Sequence, residues 1–192
     1  MSIEELLKKS TELERQTSNA EAIELYNAVL NTPKGAVLEI GSASGGTTLM
    51  LIGASSLVDK MVYSVDPYPS EIEGDALYYT EGLMNKFKES FKRNILNGEY
   101  FNIIQYQKYL SECIDWIPEL SLVFIDGCHE LSEVQKEFVL IYPKVIKGGR
   151  IYIHDIQWQD GQKSKTKETG LSNIPTWIGG GEIIETMLKI QK

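Results

Sequence analysis

The stretch Ala36-Val37-Leu38-Glu39-Ile40-Gly41-Ser42-Ala43-Ser44-Gly45-Gly46 decides the fold of this chain. Its first five residues form a short apolar run broken only by Glu39, which reads as a buried strand. A glycine-rich turn follows, and then a helical pattern over residues 47–56. Glycine directly after a strand permits a tight turn and close backbone approach to a ligand. The helix that follows presents N–H groups with no partner of their own. A dinucleotide site would read G-x-G-x-x-G, but Ser42-Ala43 stands where that pattern needs its second glycine. No Lys-Ser/Thr pair follows the glycines, so the turn is not a P-loop either. Phosphate binding is therefore the weaker reading, and a plain strand-to-helix turn, which favours glycine anyway, is the bland alternative.

Outward from this point the chain alternates between short strands and helical periods. Helical patterns cover residues 3–14 and 20–30, the second with Ile23, Tyr26, Val29 and Leu30 at helical spacing, before Pro33-Lys34-Gly35 breaks the chain. A second strand spans 61–65 and ends at Asp66-Pro67, and a polar loop with scattered tyrosines covers 68–80. A helix then places Leu83, Phe87, Phe91 and Ile95 on one face and stops near Asn97-Gly98. Strands follow at 101–105 and 121–125. Ser132 with Gln135 fits a capping box that opens a helix to about Tyr142, and Lys147-Gly148-Gly149 turns into a strand at 150–154. Residues 157–173 read as a polar loop and 182–190 as a last helix. Strands separated by helices imply parallel crossovers, hence a doubly wound α/β sheet. Such sheets bind ligands at the carboxyl ends of their strands. The residues to inspect are then 41–46, Asp66, 105–111, 126–129 and the pair His154-Asp155, and polar residues and glycines concentrate there. Asp66, 27 residues after Glu39, can accept hydrogen bonds from both ribose hydroxyls of an adenosine ligand; the alternative is a strand-end cap before Pro67.

Composition bounds the function. At 192 residues the chain is one domain's worth, long enough to bury a real core. A net charge of -8 argues against a nucleic-acid footprint and disfavours an anionic membrane surface. Two cysteines make no disulfide framework, so reduced thiols in a cytoplasmic protein are expected, with Cys128 packed as a small buried group. The acidic start Met-Ser-Ile-Glu-Glu shows no signal stretch, and no apolar run is long enough to span a bilayer.

With these motifs together, the chain resembles class I S-adenosylmethionine (SAM)-dependent methyltransferases. Val37 to Gly45 resembles their first motif, E-x-G-x-x-x-G, and Tyr63-Ser64-Val65-Asp66 their second. Phe124-Ile125-Asp126-Gly127 resembles the fourth-strand motif and Ile146-Lys147-Gly148-Gly149-Arg150 the turn before strand five. The pairing of Asp126-Gly127-Cys128-His129 with Ile153-His154-Asp155 is similar to methyltransferase family 24, with relatives among sugar and antibiotic O-methyltransferases. The match covers residues 20–156. The resemblance implies that Gly41, Ser42 and Gly45 lie against SAM, that Glu39 sits beneath its methionine part, that Asp66 holds its ribose, that Ser111 flanks its adenine and that Asp126 lies at the cofactor's edge. It also implies a small-molecule methyl acceptor.

Asp126, His129, His154 and Asp155 follow two strands that the fold places side by side, and both histidines of the chain are among them. Three roles are open. Asp126, Asp155 and His154 suit a divalent cation such as Mg²⁺, with His154 standing where relatives carry a second acid, a change that admits a softer ion. Alternatively His129, or as second choice His154, is the general base that an oxygen acceptor requires; the position of a base in some relatives is Cys128 here. Third, His129 caps the following helix and His154 is a buried strand-end histidine bonded to Asp126. Tyr68, Tyr78, Tyr79 and Trp158 either line an acceptor pocket or anchor loops.

The helical reading of 182–190 leaves no room for the last two strands of a complete class I sheet. The expectation is therefore a truncated or naturally shortened fold that either covers its fifth-strand edge in a homodimer or has reduced stability. A SAM-binding protein without transfer activity, or a hydroxylase-like or dinucleotide-dependent enzyme, are the rival readings.

Overall fold

The computed structural model describes residues 1–69, 81–128, 131–155, 182–184 and 187–192. Two helices come first, α1 (Ile3–Glu12) and α2 (Asn19–Asn31), each opened by a capping box, Ser2 with Glu5 and Ser18 with Glu21. Then follow β1 (Ala36–Ile40), α3 (Gly46–Leu57), β2 (Val62–Val65) and α4 (Glu81–Phe91), which runs into a π-helical turn, Lys92–Leu96. The order continues through β3 (Ile103–Tyr106), α5 (Leu110–Cys113), β4 (Leu120–Ile125), α6 (Leu131–Ile141), β5 (Val145–Ile153), β6 (Glu182–Ile184) and β7 (Met187–Gln191).

The sheet has seven strands in the order β3-β2-β1-β4-β5-β7-β6. The five strands from β3 to β5 pair in parallel, and β7 runs antiparallel to both β5 and β6. The strand order reverses between β1 and β4, so the switch point lies beside the glycine turn. The expected loss of the last two strands is thus overturned. Residues 182–190 are not a helix: Ile151 of β5 pairs with Ile190 and Ile153 with Leu188, which covers the β5 edge. The reason for expecting a dimer over that edge falls with it.

Side chains alternate between the two faces of each strand. Val37, Leu122, Phe124 and Tyr152 pack with α1 to α4 in one core, and Leu38, Ile40, Val123, Ile125 and Ile151 pack with α5 and α6 in the other. Glu39 shares the parity of Val37, so its carboxyl enters the core beneath α3. Ser132, expected to cap α6, lies inside its first turn because the helix begins at Leu131. No helix among the described residues is long and apolar enough to cross a membrane.

Candidate active site

The parallel ladder extends one residue past each strand and thereby positions the site. Gly41 donates to Val65, Asp66 to Tyr106, Asp126 to Ile40 and His154 to Ile125, each backbone N–H to backbone O at 2.8–3.1 Å. One acid or histidine is left at the end of β2, β4 and β5, around the glycine turn.

The turn's glycines are required by close packing. Gly41 has φ +84°, and a Cβ there would stand 2.2 Å from the carbonyl oxygen of Asp126. At Gly45, with φ +91°, a Cβ would fall 2.5 Å from Ile95 Cγ1. Gly46 touches the backbone of Arg15, where a Cβ would come within 2.6 Å of Cα. The link between α1 and α2 therefore crosses the turn. Arg15 folds back onto the carbonyls of Thr17 and Ser18 and the side chain of Asn19. Between link and turn lies a narrow cleft lined by Glu14, Arg15, Gln16, Gly41 to Ser44, Gly46, Thr47 and Asp126. Backbone in the left-handed region gathers here: Glu14, Ala43, Tyr68 and Asp155 all have φ between +43° and +58°. Such strain concentrates at sites that bind and react.

Asp66 grips the turn. Its Oδ2 accepts from the N–H groups of Ser42 and Ala43 at 2.9 and 3.1 Å, and its Oδ1 accepts from Tyr68 N–H at 2.9 Å. Burial pushes this carboxyl up against the opposing pull of those three amides. Tyr68 is a loop anchor: its hydroxyl donates to Ala43 O at 3.0 Å and meets Ser42 Oγ at 3.0 Å.

Glu39 is fully buried. Its Oε2 accepts from Thr48 at 2.6 Å, and the hydroxyl of Ser64, its neighbour on β2, also helps to hold the carboxylate; Ser44 Oγ in the cleft lining has no partner among the described residues. Burial raises the Glu39 carboxyl to about 8, with the charges of Asp126 and Asp66 adding to the rise. Glu39, Asp66 and Asp126 thus gather around the glycine turn, and each disfavours the charge of the next, a setting that suits a ligand with cationic groups. SAM, with its sulfonium and ammonium groups, fits that demand.

His154 is buried between carboxylates. Its Nδ1 lies 2.9 Å from Asp126 Oδ1 and 3.4 Å from Asp155 Oδ1, and its Nε2 lies 3.4 Å from Glu21 Oε2. Burial alone would lower its pKa, but the Asp126 charge and the hydrogen bonds to Asp126, Asp155 and Glu21 outweigh it and push the ring up to about 12. A ring already protonated has no lone pair to take a proton, so His154 is a poor general base. Asp126, His154 and Asp155 each offer one ligand atom within 4.8 Å of the others, so they do converge as a candidate cation site.

Ser111 lies exposed on α5, and Cys128 is exposed rather than buried, because β4 ends at Ile125 and the chain there has left the core. His129, Tyr78, Tyr79 and Trp158 lie outside the described residues. Glu21 is the residue that sequence reasoning missed. Its local signal was the capping box with Ser18, which says nothing of a partner 133 residues away.

Comparison with known proteins gives a family model described as a methyltransferase domain, of the family 24 type, matching residues 38–156. The chain belongs to this family of class I methyltransferase domains. An uncharacterized protein of Acanthamoeba polyphaga mimivirus is 26% identical over 121 residues, 62% of this chain and 51% of that protein. The chain thus spans about half the length of the curated relative it matches. Among solved structures, the O-methyltransferase TomG of Streptomyces achromogenes, involved in tomaymycin synthesis and solved with SAM, has a TM-score of 0.68 at 13% identity over 98% of this chain and 90% of its own. The mycinamycin-pathway methyltransferase MycE, solved with Mg, S-adenosylhomocysteine and mycinamycin VI, has a TM-score of 0.61 at 15% identity over 97% of this chain and 53% of its own. At these identities the likeness is one of fold.

Proposed function

We propose that this chain is a single methyltransferase domain that transfers the methyl group of SAM to a hydroxyl oxygen of a small molecule, a sugar or natural product. The observation that carries the reading is the gathering of three acids at the glycine turn, Glu39 of β1 beneath it, Asp66 after β2 gripping it and Asp126 after β4 against Gly41. When bound, SAM supplies an electrophilic methyl group on a positively charged sulfur. The backbone of Gly41, Ser42 and Gly45 forms the wall against it. Asp66 Oδ1, which spends one acceptor site on Tyr68, has a second for a ribose hydroxyl. Ser111 stands after β3, on the adenine side. Glu39 answers the cationic methionine end. The acceptor oxygen must lose a proton as it attacks, and with His154 held as a cation, His129 is the proton acceptor of choice. If a divalent cation takes part, Asp126, His154 and Asp155 hold it, and it polarises the acceptor hydroxyl. The strands whose expected absence favoured a binding protein without transfer activity are present, which leaves Cys128 at the relatives' base position as that reading's one remaining ground. TomG, named for tomaymycin synthesis, and MycE, solved with mycinamycin VI, support the small-molecule acceptor by likeness of fold.

The test is methyl transfer from radiolabelled SAM to a panel of sugar and polyketide hydroxyls, with S-adenosylhomocysteine release as the common product. Transfer to at least one hydroxyl, lost in His129→Ala with SAM affinity retained, is expected. SAM binding with no transfer to any oxygen acceptor, but transfer to an amine or thiol, would overturn the oxygen assignment.

A further inference from the structure

Glu21 lies outside the residues that match the family model, yet it is one of the most buried charged groups among the described residues, 2% exposed. It sits in the first turn of α2, and its Oε2 does two things. It accepts from Ser18 N–H at 2.9 Å, closing the capping box, and it faces His154 Nε2 at 3.4 Å. The helix carrying it is fixed against the sheet from the same side. Tyr152, two residues before His154, donates its hydroxyl to Glu24 Oε1 at 2.6 Å, and Lys189 of β7 pairs with that oxygen at 3.1 Å.

The two nitrogens of the His154 ring therefore face opposite ways. Nε2 meets the N-terminal helix, and Nδ1 meets the Asp126–Asp155 pair. Two donors at a right angle on one ion, each about 2.1 Å from it, stand about 3 Å apart. Nδ1 lies at that spacing, 2.9 Å, from Asp126, and at 3.4 Å, the spacing of a tetrahedral angle, from Asp155. A carboxylate on the far nitrogen is the usual outer partner of a metal-ligating histidine, fixing its tautomer and making it a stronger ligand.

We propose that Glu21 is a positioning residue, which holds His154 Nε2–H and so presents Nδ1, with Asp126 and Asp155, to a divalent cation of borderline softness. One imidazole nitrogen with two carboxylates suits Co²⁺ or Zn²⁺ better than Mg²⁺, whose preference is for oxygen alone. The inference rests on the proposed methyl-transfer site only for its place in the molecule.

Co²⁺ and Mg²⁺ binding to the purified protein without SAM tests it, followed by calorimetry and by the visible absorption of Co²⁺. Wild type is expected to bind Co²⁺ with a shifted absorption band, and His154→Asp to lower the Co²⁺-to-Mg²⁺ affinity ratio at least tenfold. Glu21→Gln is the informative variant, because glutamine at this helix position keeps the capping box and loses only the charge facing His154. It is expected to weaken Co²⁺ about 10- to 100-fold with unchanged circular dichroism. A residue that serves only as a helix cap would leave Co²⁺ affinity unmoved in Glu21→Gln, and that result overturns the proposal. So does a wild-type protein that gives no Co²⁺ band, or an affinity ratio unchanged in His154→Asp. SAM binding, measured separately with chelator present, reports on the methyltransferase reading whatever the metal result.

Discussion

Replacing Glu39 by glutamine separates the cost of its burial from its use. The carboxyl is raised from 4.5 to about 8 in the fold, first by burial and then by Asp126 and Asp66. For an acid with a raised value, the folded state favours the protonated form. The stability tied to that proton is complete below pH 4.5 and is lost as pH rises through 8. Linkage puts the penalty at roughly 1 kcal/mol at pH 5 and roughly 4 kcal/mol at pH 8, a loss of about 3 kcal/mol between them. Glutamine has no such titration, and its amide oxygen can still accept from Thr48. The stability of Glu39→Gln relative to wild type should therefore rise by about 3 kcal/mol from pH 5 to pH 8. In urea that moves the two unfolding midpoints apart by about 1–3 M. Circular dichroism in urea at the two pH values measures it, and the comparison with wild type cancels the other titrating groups. A gap between variant and wild type that stays the same at both pH values, to within about 1 kcal/mol, would refute the burial argument.

Three further outcomes follow from the same geometry. A cation beside Glu39 favours its ionised form, so SAM affinity should rise with pH up to about 8 in wild type and stay flat in Glu39→Gln, as read by calorimetry at several pH values. Gly41→Ala should destabilise more than Gly45→Ala, the latter by about 1–3 kcal/mol, because the first Cβ would strike backbone and the second the side chain of Ile95; thermal unfolding ranks them. Asp66→Ala removes the acceptor of three backbone N–H groups and should weaken SAM at least tenfold; an unchanged affinity would remove Asp66 from the ribose site.

The order of elements and the rim of site residues were legible because their signals are local. The run from Ala36 to Ile40 is buried at every position and is a strand with those same bounds. Phe87, Phe91 and Ile95 lie on one buried face, as their spacing requires. The C-terminal strands were not legible. Ile183, Met187 and Ile190 fit a helical period as well as a strand, and a short apolar run does not decide between them. What decides is pairing with β5, more than 30 residues earlier, which no local pattern reports. At the site, sequence placed His154 beside Asp126 through adjacent strands. It could not see Glu21 reaching the ring from a helix outside the sheet, nor Arg15 lying on Gly46. Those contacts depend on how the first two helices dock. The protonation of His154 was hidden for the same reason, since three acids must be counted around it.

The most direct test of the account is calorimetric titration of the purified protein with SAM and, separately, with NAD. The account predicts saturable SAM binding at one site, weakened in Asp66→Ala, and no heat from NAD. No SAM binding, or NAD binding in its place, would contradict it.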